Sequence, residues 1–231
     1  MDREPAPAKL PNEKTRKSRA VLKETYWSRF ADDFEERNIY VVGKENIEAI
    51  QKALADLAVS GKVLELGCGN GTYSKTLAQT AKQVFATDFS DEMVATSTKQ
   101  LKSFDNILVK KENCFSLSFS DATFDCVVMI NLLHVIAEPE KAIRESKRVL
   151  KNNGDIIIVG FTTENLSFLS KLGIIYRYLK TYGKPPKTAQ ALPLQKACSL
   201  LENNNFTVKD ARLIGNSVKA ICIKATFRCS D

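Results

Sequence analysis

Apolar positions along this chain follow two alternating rhythms. Continuous apolar runs at 63–66 (VLEL), 83–88 (QVFATD), 124–130 (FDCVVMI) and 155–161 (DIIIVGF) have the length and β-branched content of strands covered on both faces. A shorter run over 106–110 predicts one more strand between them. The intervening stretches place apolar residues three and four apart, the helical period. Ile47, Ile50, Leu54 and Leu57 share one face of a helix over 46–57, and further helices are predicted to about Thr80, from Ser90, over 138–150 and over 190–202. Ser90 suits an N-cap, with Asp91 and Glu92 in the first turn. Phe206–Arg212 and Val218–Phe227 close the pattern as strands. Strands alternating with helices predict a layered α/β sheet.

Two apolar stretches are not needed by that alternation. Tyr26, Trp27, Phe30 and Phe34 fall at helical spacing before the first strand. Residues 163–186 carry Phe168, Leu169, Leu172, Ile174, Ile175, Tyr176, Tyr178, Leu179 and Tyr182, too apolar for a loop, and KPP closes them. The first stretch predicts a helical cap, and the second a helical insertion overhanging the strand ends.

The chemistry concentrates at 62–73, KVLELGCGNGTY. A buried strand breaking into glycines and then a helix makes a nucleotide cradle, because glycine lets backbone approach a ligand and the helix start offers free N–H groups. The glycines stand at 67, 69 and 71, so the G-x-G-x-x-G spacing of a pyrophosphate site is absent, and Thr72 holds the place of its third glycine. Glu65 lies two residues before the first glycine, where a carboxylate suits a cationic amino group better than a phosphate. Asp88 ends the second strand about 20 residues on, the position from which an acid accepts hydrogen bonds from a ribose diol.

This stretch resembles motif I of the class I S-adenosylmethionine-dependent methyltransferases, E/D-x-G-x-G-x-G, with Glu65, Gly67, Gly69 and Gly71 at the matching positions. The D-x-S-x-x-M run from Asp88 to Met93, the KENCFSLSFSDATFDCVV segment and RVLKNNG follow in the family's order, and the whole looks closest to its small-molecule, ubiquinone/menaquinone-type branch. The resemblance implies a Rossmann-like doubly wound seven-stranded sheet, mostly parallel with the last strand antiparallel, bearing an N-terminal cap and a lid insertion over 163–187. It implies S-adenosyl-L-methionine as cofactor, held by Glu65, Gly67, Cys68, Gly69, Gly71, Asp88, Phe89, Met93, Asn113, Cys114, Phe115 and Asn131. Asn113 replaces the Asp that often meets the adenine amino group, and the asparagines of RVLKNNG replace a Pro-Gly turn. Tyr26, Trp27, Phe168 and Tyr176 are the expected acceptor-side residues.

After the fourth strand comes Asn131-Leu132-Leu133-His134. It lacks the prolines and the aromatic of the [D/N/S]-P-P-[Y/F] motif of amino-DNA methylases, and no Pro-Cys pair supplies the covalent cytosine route. His134, the only histidine in the chain, is the sole candidate base; it serves equally as an acceptor-lining imidazole. Asp125 reads as structural.

Charge alters this picture little. Of the net +7, residues 1–23 supply +4, with seven Lys/Arg against three acids, so the basic character sits in a tail and the folded body over 24–231 is nearly balanced. The expected partner is a small-molecule acceptor, with nucleic acid disfavoured and the chain a monomer or homodimer. An RNA- or protein-directed methyltransferase using the tail as an arm, and a cofactor-binding regulator without turnover, are the competing classes. Six scattered cysteines with no C-x-x-C pair give no zinc pattern and fit a cytoplasmic protein of reduced thiols, and no apolar stretch is long enough to span a membrane.

Overall fold

The structure, a computed structural model, describes residues 26–227. The basic tail expected over 1–23 lies outside them. Seven strands form one sheet in the order β3-β2-β1-β4-β5-β7-β6. They are β1 Lys62–Leu66, β2 Gln83–Asp88, β3 Ile107–Lys111, β4 Phe124–Ile130, β5 Leu150–Thr162, β6 Phe206–Ile214 and β7 Lys219–Phe227. The β1–β2, β1–β4, β2–β3 and β4–β5 pairs are parallel. β7 runs antiparallel between β5 and β6. This is the expected doubly wound architecture with its antiparallel last strand.

Seven helices are named: α1 Phe34–Val42, α2 Lys44–Asp56, α3 Ser74–Leu77, α4 Asp91–Leu101, α5 Pro139–Val149, α6 Phe168–Tyr182 and α7 Leu194–Glu202. Alternate strand residues feed two cores. Leu64, Leu66, Val127, Met129 and Ile156 pack with α5 and α7 on one face. Val63, Val84, Cys126, Val128 and Ile157 pack with α2, α3 and Leu101 of α4 on the other. The chain winds from β1 out to β3 and returns at β4, so the topological switch lies between β1 and β4, where open α/β sheets bind ligands.

Some boundaries shift. The helix expected to run to Thr80 is only Ser74–Leu77. Helix α7 starts at Leu194 rather than 190, because Pro193 occupies its N-cap. The cap is helical at 26–28, turns through 29–33 and resumes as α1. Gly43, at φ 86°, separates α1 from α2. In the KNNG segment Asn153 adopts φ 62°, so an asparagine supplies the left-handed turn that glycine usually supplies. Asp125 is structural as expected, accepting the Lys62 N–H at 2.8 Å and pairing with Lys151 at 2.7 Å.

A third apolar cluster meets the second of these cores only through Tyr73 and Phe161, the latter near the end of β5. It joins Phe30, Val41, Val42 and Ile47 to Tyr182 of α6, with Tyr26, Trp27, Phe34 and Tyr178 packed against it. Cap and insertion therefore form one aromatic unit above the switch point.

Candidate active site

The glycine turn is built by sterics. Gly67, Gly69 and Gly71 have φ of 73°, 55° and 85°, a region that side chains rarely adopt. A Cβ at Gly67 would lie 2.9 Å from Leu132, and one at Gly71 would lie 2.7 Å from Leu101. The N–H groups of Gly67 and Cys68 both donate to the Thr87 carbonyl, at 2.8 and 2.9 Å, lashing the turn to the end of β2.

Glu65 is 1% exposed and points to the α3 side of the sheet, where Ser74 Oγ donates to it at 2.5 Å. No Lys or Arg pairs with it among the described residues. Burial pushes its carboxyl up to about 7, against the pull of the Ser74 hydrogen bond and with the nearby Asp88 charge adding to the rise. A buried acid with so raised a pKa, in a turn of this kind, marks a candidate binding site.

Asp88 is the centre of the turn. Its Oδ2 accepts the Gly69 N–H at 2.9 Å and its Oδ1 accepts the Ser90 N–H at 3.0 Å. Burial raises its pKa, and the N–H groups of Ser90, Gly69 and Phe89 oppose that rise. These donors do not exhaust the carboxylate's acceptor sites, so capacity remains for a further ligand. Ser90 caps α4 by accepting the Met93 N–H at 3.2 Å, and Met93 itself is 2% exposed. Phe89 is half-exposed beneath Lys111, whose Nζ lies 5.6 Å from the ring centroid.

Asn113 Oδ1 accepts the Phe115 N–H at 3.0 Å, shaping the turn after β3. Asp88 is close enough to Cys114 to add to the burial that pushes that thiol up to about 12. Burial, with the Glu65 and Asp88 charges, likewise holds the Cys68 thiol well above its ordinary range, so both sulfurs stay protonated near neutral pH. At the end of β4, Asn131 takes φ 55° and accepts the Phe161 N–H on Oδ1 at 3.0 Å. Its side chain also lies near the Tyr73 hydroxyl, where it opposes part of the rise that burial gives the Tyr73 pKa. The motif residues Glu65, the three glycines, Cys68, Asp88 and Asn131 are thus brought together at the switch point, with Asn113–Phe115 on the β3 side.

His134 follows this loop. Its Nδ1 lies 3.8 Å from where a Gly160 Cβ would stand, and its carbonyl accepts the Gln190 N–H at 2.9 Å. The residue keeps some exposure, yet protein surrounds the imidazole, and this desolvation lowers its pKa to about 4.

The cap closes directly over the turn. Phe34 stands on Gly69, and Ser28 Oγ hydrogen-bonds Ser90 Oγ at 2.7 Å. Tyr26 OH lies 3.2 Å from Tyr178 OH, Tyr182 OH donates to Asn38 at 2.9 Å and Arg177 donates to the Val41 carbonyl at 2.9 Å, fixing α6 to the cap. Trp27 packs edge-on against Tyr182 at 5.7 Å. Of the expected acceptor-side residues, Tyr26 and Trp27 face this cluster. Phe168 and Tyr176 do not: they lie on the outer face of α6, 73% and 64% exposed. The inward positions belong to Ile174, Tyr178 and Tyr182. The helical period separates these faces, but which face turns inward depends on the cap it meets. Tyr73 and Ser28 were likewise absent from the expected site; nothing in their own spacing marks them. A cavity of about 260 Å³ lined by Asp125, Lys151, Asp155 and Lys224 lies at the opposite, N-terminal ends of the strands, away from this chemistry.

Residues 64–158 match the family described as Methyltransferase domain. The chain is 33% identical over 123 residues to a demethylmenaquinone methyltransferase of Clavibacter sepedonicus, an alignment covering 53% of this chain and 50% of that one. It is 36% identical over 105 residues to a phosphatidylethanolamine N-methyltransferase of Cereibacter sphaeroides, covering 44% and 51%. The chain thus spans about half the length of the curated relatives it matches. Among solved structures it is similar in fold to a SAM-dependent methyltransferase of Thermotoga maritima, with TM-score 0.68 and 20% identity over 88% of this chain and 99% of that one.

Proposed function

We propose that the protein is an S-adenosylmethionine-dependent methyltransferase, a reading that the match of residues 64–158 to the Methyltransferase domain family supports, and that it methylates a small, apolar or aromatic acceptor by direct in-line displacement. The observation that carries this reading is the aromatic cap closed on a glycine turn whose two flanking carboxylates have no cationic partner among the described residues. The turn fits the cofactor: its glycines leave room that a Cβ would fill, and a fully buried Glu65 suits a positively charged amino group.

In this reading Glu65 and the backbone of Gly67–Gly71 hold the methionyl end. Asp88 takes the ribose diol while fixing the Gly69 and Ser90 amides. Asn113 and Phe115 flank the adenine, with Met93 beneath. When bound, S-adenosylmethionine supplies an activated methyl on a sulfonium, so the chain's work is alignment and exclusion of water. Phe34, Trp27 and Tyr182 keep water out above the turn. Asn131, held by the Phe161 N–H, fixes the loop to His134 where the acceptor approaches. A neutral His134 lines this wall rather than driving the reaction.

An acceptor meeting aromatic walls is small and apolar; a nucleic-acid strand requires a basic groove. The relative named for a demethylmenaquinone supports the same class. Labelled S-adenosylmethionine should pass its methyl to members of a panel of small aromatic and apolar acceptors. Labelling of RNA alone would overturn the proposal.

A further inference from the structure

The outer face of α6 has no partner within the described fold. Phe168, Leu172, Ile175 and Leu179 follow one another at spacings of four, three and four, and Leu169 and Tyr176 widen the same stripe. Their exposures run from 46% to 79%. At about 1.5 Å per residue the fifteen-residue helix presents a ridge roughly 22 Å long. Large apolar side chains exposed together are uncommon and mark an interaction surface.

The charges on this segment indicate what covers it. Between residues 165 and 201 the chain carries six Lys/Arg and no Asp or Glu. Lys171 and Lys180 flank the stripe, and Lys184 follows just beyond the helix end. We propose that the outer face of α6 docks on an anionic lipid bilayer, lying in the interface with its apolar ridge among the acyl chains and its lysines at the headgroups. An amphipathic helix with bulky apolar residues on one face and basic residues at its borders has this chemistry, and lysine stems can bury while their ammonium groups reach the phosphates. A convex ridge suits a fluid surface that moulds to it. A second copy suits it poorly: apposing two α6 faces brings lysines against lysines with no acid on either helix to pair them. No helix of the described residues is long and apolar enough to cross a membrane, so the contact is one of surface attachment. Because the inward face of α6 carries Tyr178 and Tyr182, attachment would set the aromatic cluster beside the bilayer.

The test is sedimentation of the full chain, without cofactor, with vesicles of phosphatidylcholine mixed with phosphatidylglycerol at about three to one. Its outcome is independent of methyl transfer. The protein should partition onto these vesicles, and at least about tenfold less onto pure phosphatidylcholine. Leu169→Gln with Tyr176→Gln should cut partition by about tenfold or more while leaving the thermal midpoint unchanged, since both side chains are exposed. Lys180→Glu with Lys184→Glu should do the same on anionic vesicles. Failure of the wild-type chain to bind overturns the proposal, and so does undiminished binding by the Leu169/Tyr176 variant. Conversion of a dimer to a monomer by that variant, with vesicle binding unchanged, would make the face an interface between copies instead.

Discussion

The Phe34 ring rests on Gly69, so that a Cβ added at Gly69 would stand 3.3 Å from Phe34 Cε1. The cap thus touches the middle glycine of the turn, the residue proposed to make room for the cofactor. Gly69→Val meets two obstacles: φ 55° is unfavourable for a branched side chain, and the new methyls enter the space shared by Phe34 and a ligand. We expect S-adenosylhomocysteine affinity to fall by at least tenfold, about 1.4 kcal/mol, in calorimetry on a folded variant. Unchanged affinity would place the cofactor elsewhere.

Asp88→Ala tests the ribose contact and the turn together. Losing a charge-assisted acceptor costs roughly 1.5–3 kcal/mol of binding. The same carboxylate receives the Gly69 and Ser90 N–H groups, so the thermal midpoint of the free protein should fall as well. Binding and melting measured on one preparation would show both losses. A lowered midpoint with full affinity would leave Asp88 a staple of the turn only.

Glu65 predicts a pH dependence. Its carboxyl, lifted by burial to about 7 from an ordinary 4.5, holds a proton in the folded state that the unfolded chain has released. Between those values the folded state binds more protons, so stability is fully present below about 4.5 and declines as pH rises through 7, by a few kcal/mol at most. Glu65→Gln should flatten this slope in denaturant titrations. The raised Asp88 carboxyl contributes with the same sign and remains. A cationic ligand favours the ionised form, so binding near pH 6 should release a proton, read as a dependence of the calorimetric enthalpy on buffer.

The sheet was legible because its strands are short, apolar and bounded by acids, glycines and asparagines. The expected β2 and β4 coincide with Gln83–Asp88 and Phe124–Ile130. The turn was legible because three alternate glycines after a buried strand admit few backbone paths. What the sequence concealed depends on tertiary contact. The existence of α6 followed from its apolar content, but both of its faces are apolar, so periodicity alone could not tell Tyr178 and Tyr182 from Phe168 and Tyr176. Helix α1 was unread because the aromatic stripe before it suggested one helix over Tyr26–Phe34, whereas the chain turns at 29–33 and resumes at Phe34. The Tyr73–Asn131 and Ser28–Ser90 contacts join residues 58 and 62 positions apart and leave no local signal.

His134 should be dispensable for chemistry. Desolvation lowers its pKa from 6.5 to about 4, so it is neutral at pH 7 and a weak base. In stability terms the depressed value is favourable above about 6.5, and that contribution is lost as pH falls toward 4. The kcat profile should therefore show no limb near 6.5 from this residue, and His134→Ala should lower kcat by less than tenfold. A drop of about 10²–10⁴ with cofactor affinity intact would make it the base.

Trp27, the single tryptophan of the chain, reports on the cap. Its ring lies edge-on to Phe34 at 6.1 Å and to Tyr182 at 5.7 Å, between the residue that covers Gly69 and the inner face of α6. A ligand entering the turn must displace or re-pack Phe34, and that change reaches Trp27 directly. Adding S-adenosylhomocysteine should shift the tryptophan emission with the same Kd that calorimetry gives. Tyr182→Ala removes a buried ring that touches Phe30, Phe34 and Trp27, and a cavity of that kind costs roughly 3–5 kcal/mol of local packing. The variant should keep the sheet, because Tyr182 itself belongs to neither sheet core and its cluster meets the second core only at Tyr73 and Phe161. Its Trp27 emission should move to longer wavelength before any ligand is added, and the ligand-induced change should shrink. If emission in Tyr182→Ala is native-like and responds fully to ligand, the cap closes without α6, and the coupling between cap and insertion argued from this cluster fails.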